Sequence, residues 1–415
     1  MTGQPEHVLV VGAGLGGVRT AEQLRAAGFQ GRISLIGAEP HLPYDRPPLS
    51  KQVLAGEWEP GRTILRTLDQ LADLGVRAHL GLPAVALRTG DTAGSAGSSA
   101  GVSAEVELAD GSTLYGDAVV IATGLVARRL PDQPAHVPTL RTLEDSLALR
   151  AELDRIDSLL IVGAGFIGAE VATAARVRGI AVTVVEAADN PAQAALGPVV
   201  SRLCARLFVE AGVDLRLGTT LLGFADAGAR VAVDLAGGGR LEADAGLVGI
   251  GTATRLDWLG DGNGPPAPGL FCSATGRVRD RDATWAVGDV AIWDDGSGAR
   301  HRSEHWSNAV DQAAVVARDI LGAPPPPPTV PYFWSDQFGL KIQLFGRTDT
   351  ADAVLPLHGS GLSGGPVRGT VAGYLAGDRL IGAVAFGSPR LAVRYRALIA
   401  AGASRADAQA TAALG

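Results

Sequence analysis

Cysteine is nearly missing from this chain: Cys204 and Cys272 stand far apart, in no Cys-x-x-Cys arrangement. That excludes a disulfide framework and a dithiol relay, and leaves two buried, inert thiols as the expectation. Lysine is as scarce, with Lys51 and Lys341 the only two among 36 cationic side chains. A lone lysine in an arginine-rich background invites a specific role. No basic run occurs and the formal net charge is −7, which argues against nucleic acid as a partner, because phosphate binding draws on clustered Lys and Arg. Apolar runs stop far short of the ~20 residues that span a bilayer. The opening MTGQPEHVLVVGAG has no cationic stretch ahead of an apolar segment with a cleavage site. No membrane insertion, a cytoplasmic location and no metal site are therefore expected.

Glycine is what the chain has in excess, 56 residues beside 24 prolines, which predicts many tight turns and close backbone approaches. With 415 residues and 47% hydrophobic content the length favours two or three domains. One stretch is then echoed by another: HVLVVGAGLGGVRTAEQLRAAG (7–28) by LLIVGAGFIGAEVATAARVRG (159–179). Each copy is a continuous Val/Ile/Leu run ending in glycines and passing into helical periodicity, so each reads as a buried parallel strand entering a helix. Second strands follow in RISLIGAE (32–39) and AVTVVEA (181–187), and later come VELADGSTLYGDAVVIATG (106–124) and VDLAGGGRLEADAGLVGIGTA (233–253). The chain carries one βαβ architecture twice, with parallel sheets. GDTAGSAGSSAGVS (90–103) and DGNGPPAPG (261–269) read as solvent loops, and PPPPP (324–328) as a stiff spacer. Beyond it, alternating strands such as GYLAGDRLIGAVAFG (373–387) and a final helix from about Pro389 predict a further domain of mixed α/β character.

Gly12, Gly14 and Gly17 form Gly-x-Gly-x-x-Gly directly after a strand, with Glu39 closing the next strand. The first two glycines let the backbone turn and approach a pyrophosphate at a helix N-terminus, the third lets helix and strand pack, and the acid takes ribose hydroxyls. Gly163, Gly165 and Gly168 repeat that context with Glu186. Ala187, Ala188 and Asp189 follow that acid, offering no arginine to a ribose phosphate, so NADH is preferred over NADPH. Two dinucleotide sites suggest a flavin and a nicotinamide, because hydride transfer needs two carriers. Gly288-Asp289 ends the strand in TWAVGDVA (284–291), where an acid can accept hydrogen bonds from a polyol; the plainer reading is a turn aspartate.

The strings EPHLPYDRPPLSK (39–51), GAGFIGAE (163–170), AVGDVA (286–291), EHWSNAVDQA (304–313) and PYFWSDQFGLKIQ (331–343) carry a resemblance over nearly the whole chain. It resembles the FAD-dependent ferredoxin and rubredoxin reductases of oxygenase systems, the putidaredoxin-reductase-like group, which are relatives of apoptosis-inducing factor. That resemblance implies an α/β, glutathione-reductase-like fold with two dinucleotide-binding Rossmann-type domains and a C-terminal α+β domain. The implied division is 1–125 and 247–325 for FAD, 126–246 for NADH, and 326–415 for a C-terminal interface domain. Ala122, Thr123 and Gly124 join the glycines and Glu39 at FAD. Arg46 and Lys51 match residues that hold or face FAD, Glu170 the acid paired with that lysine, and Asp289 the ribityl contact. Trp306 and Trp334 fall in strings that line the flavin pocket.

Chemistry agrees on Lys51, since a cation at a flavin edge stabilises the negative charge that arrives with hydride. A lysine early in a helix begun by Pro47-Pro48 opposes the helix dipole, so structure alone does not select it. Glu170 has a rival explanation, because an acid in the first turn of a helix is stabilising in its own right. In the first copy the same position is Arg19, so the two nucleotide sites are electrically unlike. The neutral stretch NPAQAALG (190–197) departs from the arginine-bearing one frequent in the family. The implied activity is electron transfer from NADH through FAD to a 2Fe–2S ferredoxin or rubredoxin, which feeds an oxygenase or cytochrome P450. Two alternatives use the same sites: an NADH oxidase, peroxidase or monodehydroascorbate-type reductase, and a redox-sensing protein akin to apoptosis-inducing factor. A disulfide substrate is disfavoured, as YDRPPLSK has no cysteine where disulfide reductases of this fold keep one.

Overall fold

In a computed structural model the residues described are 4–90, 104–260, 268–294 and 300–414. The two sequences read as solvent loops fall largely at 91–103 and 261–267, outside the described residues. The chain divides into two compact units, one of Met1–Asp45, Gly61–Val126 and Ala253–Pro328, the other of Arg46–Pro60, Ala127–Thr252 and Thr329–Gly415.

In the first unit the strands Thr284–Ala286, Ala118–Ile121, His7–Val11, Arg32–Gly37 and Val76–Leu80 lie side by side in that order, all parallel. The run HVLVV is apolar at every position after His7 because both faces of its strand are covered. Val8 and Val10 pack with Val18, Leu24 and Val316 of helices Leu15–Ala26 and Trp306–Ile320. Leu9 and Val11 turn to the opposite face, among Leu87, Val106 and Leu259. An antiparallel meander, Ala84–Thr89, Ala104–Leu108 and Thr113–Gly116, supplies part of that second layer.

The second unit repeats the plan. Asp214–Arg216, Ala181–Val185, Ser158–Val162 and Ala245–Val248 form a parallel sheet, joined by the helix Phe166–Val177 and the meander Leu221–Ala225, Val231–Leu235 and Arg240–Ala243. The same unit holds an antiparallel sheet in the order Tyr332–Gln337, Leu340–Gly346, Arg379–Phe386, Val371–Ala376, Ala353–His358. The expected final helix from Pro389 is two: Pro389–Ala400, and Arg405–Ala413 after a left-handed Gly402 (φ +68°). Ser404 restarts the chain with a capping box, its hydroxyl accepting from Asp407 N–H while the Asp407 carboxylate accepts from Ser404 N–H.

Candidate nucleotide cradles and a buried ion pair

Both glycine motifs adopt the same local geometry. Gly12 and Gly163 sit at φ +117° and +104°, a region that favours glycine, and their N–H groups donate to Ile36 O at 2.7 Å and Val185 O at 2.8 Å. A side chain on Gly12 would strike the Ala122 carbonyl at 2.2 Å and Thr123 N at 2.8 Å, and one on Gly163 the Gly249 carbonyl at 2.4 Å. Ala122 is buried, Thr123 exposed and Gly124 left-handed (φ +66°), so this strand end presses on the glycine turn and then leaves it. Gly17 and Gly168 pack their helices onto the preceding strand, with room for no Cβ beside the carbonyls of Gly12 (1.8 Å) and Gly163 (2.1 Å).

Gly14 and Gly165 differ, and they test whether a dinucleotide fits. Both cap their helices at ordinary angles, φ −79° and −69°. A Cβ on Gly14 would meet nothing within 4 Å, and on Gly165 only the Gly249 carbonyl at 3.9 Å. No packing contact at these two positions requires glycine, and the open space would admit the close approach of a ligand. Helices Leu68–Asp73, Leu143–Leu153 and Arg405–Ala413 satisfy their first N–H groups with Thr67, Thr142 and Ser404. The two helices that follow the glycine motifs have neither a capping side chain nor an acid in the first turn. Their N–H groups and positive dipole ends are left for an anion, the requirement of a pyrophosphate.

The strand-end acids close each cradle. Glu39 accepts from the Tyr44 hydroxyl. Glu186 accepts from Ala164 N–H at 2.7 Å through Oε2 and from Ala188 N–H at 2.8 Å through Oε1, and each oxygen keeps a lone pair for a ribose hydroxyl. Asp289 lies half-buried in the turn Gly288–Val290, which is fixed by Gly288 N–H donating at 2.7 Å to Gln312 Oε1. Gln312 was not singled out in the sequence, although its place one helical turn beyond Asn308 in EHWSNAVDQA marks the inward face of that helix. Trp306 opens the same helix and donates through Nε1 to Asp45 at 2.8 Å.

In the second unit Lys51 and Glu170 meet, at 2.9 Å and with 11% and 3% of their side chains exposed. Lys51 is not inside a helix begun by Pro47. It stands between a 3-10 turn, Pro47–Ser50, and the short helix Gln52–Ala55, where its ammonium also reaches the Pro47 carbonyl at 3.2 Å. Glu170 is the fifth residue of its helix, one turn past the start, so the dipole explanation fails. What holds it is direct: Lys51 and the hydroxyls of Ser50 and Ser335. Arg46 donates to the Arg141 carbonyl at 2.7 Å. Trp334 stacks on Tyr332 (5.7 Å, 15°) and carries Lys341 over its ring at 5.9 Å. Lys341 is half exposed and pairs with Asp336 at 3.4 Å, an ordinary surface lysine in contrast to Lys51. Arg19, the counterpart of Glu170, binds Glu22 at 2.6 Å instead.

Cys204 and Cys272 are both buried, and burial pushes each thiol up to about 12, far from a reactive thiolate. No group of three or more His, Cys, Asp or Glu among the described residues could hold a metal ion, and none of the described helices is long and apolar enough to cross a membrane.

Comparison with known proteins matches this geometry. Residues 6–313 match the pyridine nucleotide-disulphide oxidoreductase family and residues 332–413 the reductase C-terminal family. The ferredoxin reductase component of chlorobenzene dioxygenase from Cupriavidus sp. (strain PS12) is 40% identical over 348 residues, covering 82% of this chain and 80% of the relative. Rhodocoxin reductase from Rhodococcus erythropolis is 33% identical over 404 residues, 95% of this chain and 89% of its own. Among solved structures, the reductase of the covalent putidaredoxin reductase–putidaredoxin complex superposes with a TM-score of 0.85 at 30% identity, over 96% of this chain and 93% of that one. The chain belongs to the pyridine nucleotide-disulphide oxidoreductase family, in the branch that carries the reductase C-terminal domain.

Proposed function

We propose that this protein is an NADH-dependent flavoprotein reductase that passes electrons through FAD to a 2Fe–2S ferredoxin or rubredoxin, which in turn serves an oxygenase or cytochrome P450. The observation that carries the reading is the pair of uncapped glycine cradles, each closed by a strand-end acid, within one chain. FAD, when bound, supplies the conversion of a two-electron hydride donor into single-electron steps. On this reading residues 1–125 and 247–325 hold FAD, 126–246 hold NADH, 326–415 form the interface domain, and the protein works in the cytoplasm.

The chain's own residues supply binding, orientation and charge. The N–H groups after Gly14 and Gly165 take the two pyrophosphates, and Glu39 and Glu186 take ribose hydroxyls. A carboxylate at position 186 meets a ribose 2′-phosphate with like charge, which is the basis of the NADH preference. The family resemblance assigns the ribityl contact to Asp289 and FAD contacts to Arg46, Trp306 and Trp334, and Lys51, held by Glu170, supplies a fixed cation suited to the charge that hydride brings. The names of the relatives support a ferredoxin as acceptor, for they are reductase components of dioxygenase systems. With both thiols buried and no cysteine in YDRPPLSK, a disulfide is disfavoured as the acceptor.

The acceptor is tested by supplying NADH and following cytochrome c reduction with and without an added 2Fe–2S ferredoxin. The proposal expects turnover that rises with ferredoxin concentration. Fast NADH consumption with oxygen alone, unmoved by ferredoxin, would assign the chain to the oxidase alternative.

A further inference from the structure

Glu170 has more donors than one ion pair needs. Its Oε2 accepts from Lys51 Nζ at 2.9 Å and Ser50 Oγ at 2.5 Å. Its Oε1 accepts from Ser335 Oγ at 2.5 Å and more weakly from Asp336 N–H at 3.3 Å. Behind Ser335, Gln337 Nε2 donates to the same hydroxyl at 3.1 Å. Because Gln337 fills the acceptor role of that hydroxyl, its single proton is directed to Glu170. Ser335 and Gln337 are i and i+2 on the strand Tyr332–Gln337, so both point inward, while Trp334 and Asp336 take the other face. Ser335, Gln337, Glu170 and Ser50 are all 4% exposed or less.

Burying a carboxylate with two hydroxyls and an amide costs more than apolar residues of the same volume would. Gln337 makes that cost visible, since its Oε1 is buried with no hydrogen-bond partner among the described residues. A network retained at such a cost and ending on one ammonium is suited to holding that ammonium still.

We propose that Ser335, oriented by Gln337, is a positioning residue for the redox reaction. It anchors Oε1 of Glu170, so that Oε2, steadied by Ser50, holds the Lys51 ammonium in one place. The inference rests on the reading that Lys51 serves the flavin.

Stopped-flow reduction of FAD-loaded protein by NADH and the midpoint potential of the bound FAD are to be measured for Ser335→Ala, Ser335→Thr, Gln337→Leu and Lys51→Ala, and for Ser335→Ala combined with Lys51→Ala. Ser335→Ala should slow reduction roughly five- to tenfold, the net worth of about one ordinary hydrogen bond, and move the potential to more negative values. Ser335→Thr keeps the hydroxyl and should restore both, and Gln337→Leu should give a smaller change in the same direction. In the Lys51→Ala background Ser335→Ala should add nothing, because its effect runs through that lysine. A slow Lys51→Ala beside wild-type rate and potential in Ser335→Ala, or a Ser335→Ala effect kept in full without Lys51, overturns the positioning role alone. If Ser335→Ala does not fold, a Gln337→Leu protein with unchanged rate and potential overturns it. Wild-type behaviour of Lys51→Ala overturns the underlying reading instead.

Discussion

On the proposed function, Lys51 is the residue at which the chemistry of this chain is concentrated. Its pair with Glu170 is 11% and 3% exposed, so neither charge is well solvated and each is the other's nearest counter-charge. Lys51→Ala is expected to slow flavin reduction by the equivalent of about 1–3 kcal/mol, as for removing one preorganised charge. It should also lower stability by about 3 kcal/mol, because the Glu170 carboxylate is left buried without its cation. Glu170→Gln added to Lys51→Ala should recover much of the stability and none of the rate, a split that denaturant melts and stopped-flow traces read separately. The identity of Lys51 was legible from composition, as one of two lysines in an arginine-rich chain. The serines around its partner were not. Ser50 and Ser335 lie 120 and 165 positions from Glu170, and a serine carries no periodicity that would mark it as buried.

At the scale of the element, the strand–turn–helix units explain why three glycines in one motif have different duties. Gly14 faces open space at a normal backbone angle, whereas Gly17 has the Gly12 carbonyl 1.8 Å from where its Cβ would be. Gly14→Ala should therefore cost the apoprotein no more than about 1 kcal/mol, the N-cap preference for glycine over alanine, yet weaken FAD retention. Gly17→Ala should cost on the order of 3 kcal/mol through overpacking, whatever the cofactor does. Equal losses of stability in the two variants, by thermal melting of apoprotein, would contradict the assignment of Gly14 to the ligand. These units were readable because a doubly buried strand has no polar alternation to blur it and the glycines fix its end. The C-terminal helices were less readable. The Ser404–Asp407 capping box that starts the second of them is present in the sequence, but it was hidden by continuous helix-forming residues on both sides of Gly402.

Over the whole molecule, duplication does the work: one βαβ plan occurs in each compact unit, with a parallel sheet, an uncapped helix start and a strand-end acid. The copies then diverge in charge, Glu170 answering Lys51 in one and Arg19 answering Glu22 in the other. The measurement that tests this most directly is the visible spectrum of the purified protein, recorded anaerobically before and after addition of NADH and, separately, NADPH. The account predicts a flavin spectrum that NADH bleaches at once and NADPH bleaches far more slowly. A colourless protein that takes up no FAD when it is supplied, or a flavin spectrum indifferent to NADH, would contradict it.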